Sequence, residues 1–225
     1  MPDFKPVTHV IFDCDGLLLD SETMYEQIYS ELASVHGKEF TWELRMTLLG
    51  VPEADSSVIL VEKLELPITS DEANDYLRQR ERELLPTVGL MPGVDRLVRH
   101  LVANEVPIAI ATSSSIESME LKMSAHGDFW SLFNHTVTAS DLAAIRGKPA
   151  PDIFLMCARR FPATPRPEAC LVLEAEPNGV LGALAAGMQV VMVPDPRIPE
   201  AERPATLVLS SVEEFQPQLF GLPAL

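Results

Sequence analysis

The chain has 225 residues and a mass of 24.8 kDa, 47% hydrophobic and 22% charged, which excludes intrinsic disorder and fits one core domain with a modest insert. Its 33 acidic against 17 basic side chains give a net charge of −16, which argues against nucleic acid or an anionic membrane as partner. Asp, Arg or Pro interrupts every apolar run before the roughly 18 residues a membrane helix needs, and the first residues lack the blocks of a signal peptide.

Cys14, Cys157 and Cys170 are scattered and odd in number, which fits reduced thiols better than a disulfide framework. A cytoplasmic monomer is expected. An anionic small molecule stays possible, provided its site is made locally positive by a metal, a lysine or helix N-termini.

Residues 7–12 form a short apolar run rich in β-branched side chains that ends abruptly in Asp13-Cys14-Asp15-Gly16, the pattern of a buried parallel strand feeding a turn. Residues 18–87 read differently. Amphipathic helical patterns over 21–34 and 71–85 enclose no strand-like run, and 70–73 (SDEA) supply an N-cap with acids in the first turn. This block is expected to be a helical cap domain inserted after the first strand, with residues 1–17 and 88–225 as the core and Leu90-Met91-Pro92-Gly93 marking re-entry. The strand event recurs at 107–111, followed by Thr112 and three serines, and at 170–173, followed by Glu174-Ala175-Glu176. A fourth run, 189–193, stops at Pro194-Asp195. Helical patterns over 94–103, 152–160 and 179–187 separate these strands, the last ending in a glycine C-cap. Strand, polar turn and helix in repetition predict a doubly wound α/β parallel sheet, whose ligands bind beyond the carboxyl ends of the strands.

Those ends carry the chemistry. Asp13 and Asp15 stand two apart, so in a strand running straight both carboxylates address one ligand. One can serve as nucleophile and the other as proton donor or acceptor, with a divalent ion screening both. An acidic turn or helix cap is the competing use of such a pair. Thr112 offers a hydroxyl and Ser113 a backbone N–H to phosphoryl oxygens, although helix capping is the commoner role of such residues. Lys148, between Gly147 and Pro149, is by default a solvated lysine and in a phosphate site a fixed cation. Asp20, Ser21 and Glu22 read as a helix cap, Cys14 as a core residue facing away from the acids, and Trp42 and Trp130 as packing.

The stretch Phe12-Asp13-Cys14-Asp15-Gly16-Leu17-Leu18-Leu19-Asp20-Ser21-Glu22 resembles the first motif of the haloacid dehalogenase superfamily, and Thr112, Lys148 and Glu174 follow in the order of its other motifs. The resemblance implies a magnesium-dependent phosphomonoester hydrolase acting on a small phosphorylated metabolite. Asp13 would be the nucleophile that forms an aspartyl-phosphate, Asp15 the acid and base, Thr112, Ser113 and Lys148 the phosphate-binding groups. Asp13, Asp15 (through its carbonyl) and Glu174 would hold Mg²⁺. The second aspartate separates phosphatases and phosphosugar mutases from dehalogenases. Residues 90–93, 111–114, 147–161, 178–195 and 216–223 further resemble the pseudouridine-5′-phosphatase branch, which implies a nucleotide 5′-monophosphate substrate.

Two departures stand against the family pattern. Ala175 occupies the place of an aspartate that relatives use as a magnesium ligand, and Ala150 removes an acid near Lys148. Losing even an outer-shell partner costs about 10–100-fold in metal affinity or activity. A catalytically impaired relative that keeps a binding role is therefore the alternative, with Glu176 as the acid able to substitute.

Overall fold

In the computed structural model, which describes residues 4–49, 51, 53–142 and 146–225, six strands form one parallel sheet. They are β1 (His9–Phe12), β2 (Ile108–Ala111), β3 (His135–Val137), β4 (Cys170–Glu174), β5 (Gln189–Met192) and β6 (Leu207–Val208). Their order is β3-β2-β1-β4-β5-β6, so the winding direction reverses between β1 and β4. That switch point opens a crevice at the carboxyl end of the sheet. Register places Phe12 beside Leu173, so Asp13, just past β1, and Glu174, the last residue of β4, flank the crevice.

Alternation along the strands builds two cores. On β1, Val10 and Phe12 face α5 (Val94–Ala103) and the C-terminal Phe215 and Phe220, whereas Ile11 faces α8 (Asp152–Arg160) and α9 (Pro177–Ala185). Cys14 is fully buried in the first of these clusters. All three cysteines are free and buried.

Between β1 and β2 stand α1 (Ser21–Val35), α2 (Trp42–Leu48), α3 (Glu53–Leu64) and α4 (Ser70–Leu84). They share a hydrophobic cluster of their own, with Ile28, Leu32, Leu60 and Leu77 at its centre. The remaining helices are α6 (Ile116–Met123) and the single turn α7 (Gly127–Trp130). The chain re-enters the sheet domain where Met91 N donates to Leu18 O at 2.9 Å.

The helices α2, α3, α6 and α7 were not predicted, and other elements need correction too. The N-cap of α4 is Thr69, one residue earlier than expected, because Thr69 and Glu72 close a reciprocal capping box. α9 starts at Pro177 instead of 179, since proline is tolerated in the first turn where no N–H partner is needed. β3 and β6 escaped the sequence reading, being edge strands of three and two residues. Among the described residues no helix is long and apolar enough to cross a membrane.

Candidate active site

Asp13 continues the β1 ladder, its N–H donating to Leu173 O at 2.9 Å. Its Oδ1 accepts from Lys148 Nζ at 2.7 Å, and the same ammonium donates to Glu174 Oε1 at 2.5 Å. All three groups are buried, so this is an ion triad in a low-dielectric setting. Glu174 is turned under the first turn of α9, where Oε2 accepts from the N–H groups of Ala175 (3.0 Å) and Glu176 (3.2 Å). Only glycine fits above it, because a Cβ on Gly179 would lie 1.9 Å from Glu174 Oε1.

A second knot holds Asp15. Its Oδ1 accepts from Lys122 Nζ at 2.7 Å and from Ser21 Oγ, and its Oδ2 accepts from Ser114 Oγ at 2.7 Å. Lys122 also donates to Ser114 Oγ and lies over the Tyr25 ring. The turn between β1 and α1 that brings Asp15 here needs Gly16, whose φ is +72° and whose missing Cβ leaves room for Glu22 Cγ at 2.9 Å. Thr112 is fully buried and its hydroxyl accepts from Ser114 N at 3.1 Å, whereas Ser113 and Ser114 of that turn line open space.

Asp13, Asp15, Ser113, Ser114 and Glu176 open on a cavity of about 50 Å³, room for a few waters at most. Its other wall comes from the helices between β1 and β2, including Tyr25, Tyr29 and the ion pair of the half-buried Glu22 with the buried Arg45. The cavity meets two larger ones. One, about 370 Å³, runs from Ser113 and Tyr29 between α4 and α6; the other, about 210 Å³, lies beyond Glu22, Arg45 and Glu176 and is lined by Trp42, Ala175 and Arg197.

Charge sets the protonation. Burial, then the neighbouring Glu174, push the Asp13 carboxyl well above its usual range despite Lys148. Burial alone would also raise Asp15, but the Lys122 charge and the bonds from Lys122, Ser21 and Ser114 outweigh it and hold the group low. Glu176 is pushed up to about 7 by burial and by Glu174.

The donors here are all hard carboxylate oxygens, and Asp13 and Glu176 face the cavity with excess negative charge between them, which fits Mg²⁺ in kind. Among the described residues no three His, Cys, Asp or Glu side chains stand together at ligand spacing, because Lys148 and Lys122 engage Glu174 and Asp15.

Sequence reasoning named Asp13, Asp15, Thr112, Ser113, Lys148 and Glu174, and the structure gathers them at one end of the sheet. It missed Lys122, Ser114 and Arg45, and it read Ser21 and Glu22 as cap residues although their side chains reach Asp15 and Arg45. Lys122 gives no sign in the sequence, since one lysine in a helix reads as solvated.

A model of the haloacid dehalogenase-like hydrolases matches residues 7–187. The chain belongs to this family. Over 222 residues this haloacid dehalogenase-like hydrolase is 46% identical to a Drosophila melanogaster protein described as "Probable pseudouridine-5'-phosphatase", covering 98% of this chain and 96% of that one. It is 41% identical to (DL)-glycerol-3-phosphatase 2 of Arabidopsis thaliana, across 96% and 92% of the two chains. A haloacid dehalogenase family hydrolase from Deinococcus radiodurans, solved with bound phosphate and sodium, superposes with a TM-score of 0.78 at 26% identity, covering 98% of this chain and 99% of that one. The protein is thus a phosphatase of this family, acting on small phosphorylated metabolites.

Proposed function

We propose that this phosphatase hydrolyses a nucleotide 5′-monophosphate of the pseudouridine 5′-phosphate type, through an aspartyl-phosphate on Asp13 and with Mg²⁺ as cofactor. The observation that carries the reading is Asp13 itself, held at the switch point by Lys148 and opening with Asp15 and Ser113 on one cavity. Similarity to the Drosophila relative supports the substrate class, and the 370 Å³ cavity beside Ser113 is large enough for a nucleoside leaving group. Residues 18–87 form the cap in this reading, and the core comprises 1–17 and 88–225.

The chain's own residues divide the work. Asp13 Oδ attacks phosphorus as the ester P–O bond breaks, and Asp15, which Lys122 holds ionised in the resting site, must take up a proton on substrate binding in order to give it to the departing oxygen. Asp15 then takes a proton from the water that attacks phosphorus, which releases phosphate and restores Asp13. Lys148 neutralises Asp13 and Glu174, and Ser113 donates its N–H to a phosphoryl oxygen. Asp13, the Asp15 carbonyl and an acid from the pair Glu174 and Glu176 would hold Mg²⁺, which supplies positive charge to the transferring group.

Ala175 favours a second reading, a relative impaired in metal binding, because it leaves a methyl where relatives carry a ligand. Turnover of pseudouridine 5′-phosphate, uridine 5′-monophosphate and glycerol 3-phosphate, with Mg²⁺ and with chelator, tests the proposal. Release of phosphate from the nucleotides, lost in Asp13→Asn and in chelator, is expected. No release from any ester above the Asp13→Asn background overturns it in favour of the impaired relative.

A further inference from the structure

Three cations lie near the catalytic acids, and their placements differ. Lys148 bridges Asp13 and Glu174, Lys122 bridges Asp15 and Ser114, and both are buried outside the lining of the catalytic cavity. Arg45 alone among them lines that cavity. It stands on α2, across the cavity from the strand ends, and is only 4% exposed. Its ion-pair partner is Glu22, whose stem packs over Gly16 in the turn that carries Asp15.

The rest of the cavity wall is wrong for an anion. Asp13, Asp15, Glu22 and Glu176 all contribute carboxylates to it. A phosphate dianion placed there meets like charge on several sides, so its outward oxygens require a donor with positive charge. A guanidinium offers five N–H donors in a planar fork that matches two phosphoryl oxygens at once, which a neutral Tyr25 or Tyr29 hydroxyl cannot do.

We propose that Arg45 is the cap's phosphoryl-binding residue: its guanidinium, held in waiting by Glu22, grips the outward oxygens of the substrate's phosphate. This rests on the phosphatase reading above and adds a specificity device to it. A ligand without the phosphoryl anion leaves Arg45 paired with Glu22, so the cap recognises the group to be transferred as well as the leaving group.

Binding of inorganic phosphate and of orthovanadate, followed by calorimetry, tests this without turnover. Arg45→Met is expected to weaken both anions about 10-fold or more, the loss of a hydrogen bond to a charged group. Arg45→Lys should restore much of the affinity, and Glu22→Gln should leave it equal or tighter, because the competitor for Arg45 is gone. Since Arg45→Met leaves the half-buried Glu22 carboxylate unpaired in the cavity wall, the double variant Glu22→Gln/Arg45→Met serves as the folded control and should bind as weakly as Arg45→Met. Unchanged anion affinity in the double variant overturns the proposal and makes the pair purely structural. If wild type hydrolyses p-nitrophenyl phosphate while that affinity is unchanged, only the Arg45 assignment falls. Arg45-dependent phosphate binding without any turnover sinks the catalytic reading and leaves Arg45 in place. A wild type that binds neither anion overturns both.

Discussion

The floor and the roof of the catalytic cavity are built by different means. The floor consists of strand ends whose positions are set by backbone ladders, with Asp13 N–H still paired to Leu173 and Thr112 N–H to Val137. Its charges are neutralised in buried knots around Lys148 and Lys122. The roof is a helical block with its own core, and individual side chains join it to the floor. Arg197, anchored by Asp195, reaches Glu26 on α1 and lies 3.9 Å from the centre of the Trp42 ring on α2. Arg82 on α4 meets Glu117 on α6, and Asn178 donates to Leu49 O. A floor fixed by backbone suits in-line chemistry, whereas a roof joined by exposed ion pairs can part at small cost.

That contrast can be broken at its strongest point first. Asp13→Asn should reduce phosphate release at least about 10³-fold, the scale of losing a covalent nucleophile, while leaving the melting temperature nearly unchanged. Lys148→Met should destabilise the fold by about 3–5 kcal/mol in urea titration, because it strands Asp13 and Glu174 as buried carboxylates. Ala175→Asp should tighten Mg²⁺ binding about tenfold by calorimetry, and it should lower stability in chelator through added repulsion with Glu174. Equal Mg²⁺ affinity in both proteins would show that Glu176 already does the work.

The roof should respond more weakly. Arg197→Ala removes an ion pair whose arginine side chain is 47% exposed, together with a ring contact, so about 1 kcal/mol of cap attachment is expected to go. A raised KM with a nearly unchanged melting temperature is the expected result, and an unchanged KM would deny Arg197 any hold on the cap. The smallest effect concerns pH. Burial lowers the pKa of His9 and His135, which both stack edge-on to Phe161. The unfolded chain then binds protons near pH 6.5 that the folded chain refuses, so stability is complete above that pH and declines as pH falls below it. Replacing both with Gln should remove this part of the fall in melting temperature between pH 7.5 and 5.5, leaving the opposite slope that Glu176 contributes.

The floor was legible in the sequence; of the roof, the helices over 21–34 and 71–85 were legible, but α2, α3 and the inward-facing Arg45 were not. Asp13 and Glu174 each sit where an apolar run ends, so local pattern marks them, whereas Lys148 reads by pattern as a solvated lysine and was marked by the order of the family motifs. Arg45 and Lys122 sit in helices with charged neighbours, and only tertiary packing turns them inward. The strands β1, β2, β4 and β5 were visible because buried parallel strands are uniformly apolar. β3 and β6 are too short for any period to show.

Glu174 and Gly179 have a consequence beyond this chain. The carboxylate at the end of β4 occupies the volume a side chain at position 179 would need. Among descendants and engineered libraries the two positions therefore cannot drift independently: an alanine at 179 is admissible only after the glutamate has shortened or gone. Paired substitution at 174 and 179, in that order, should be the path by which selection retires this acid.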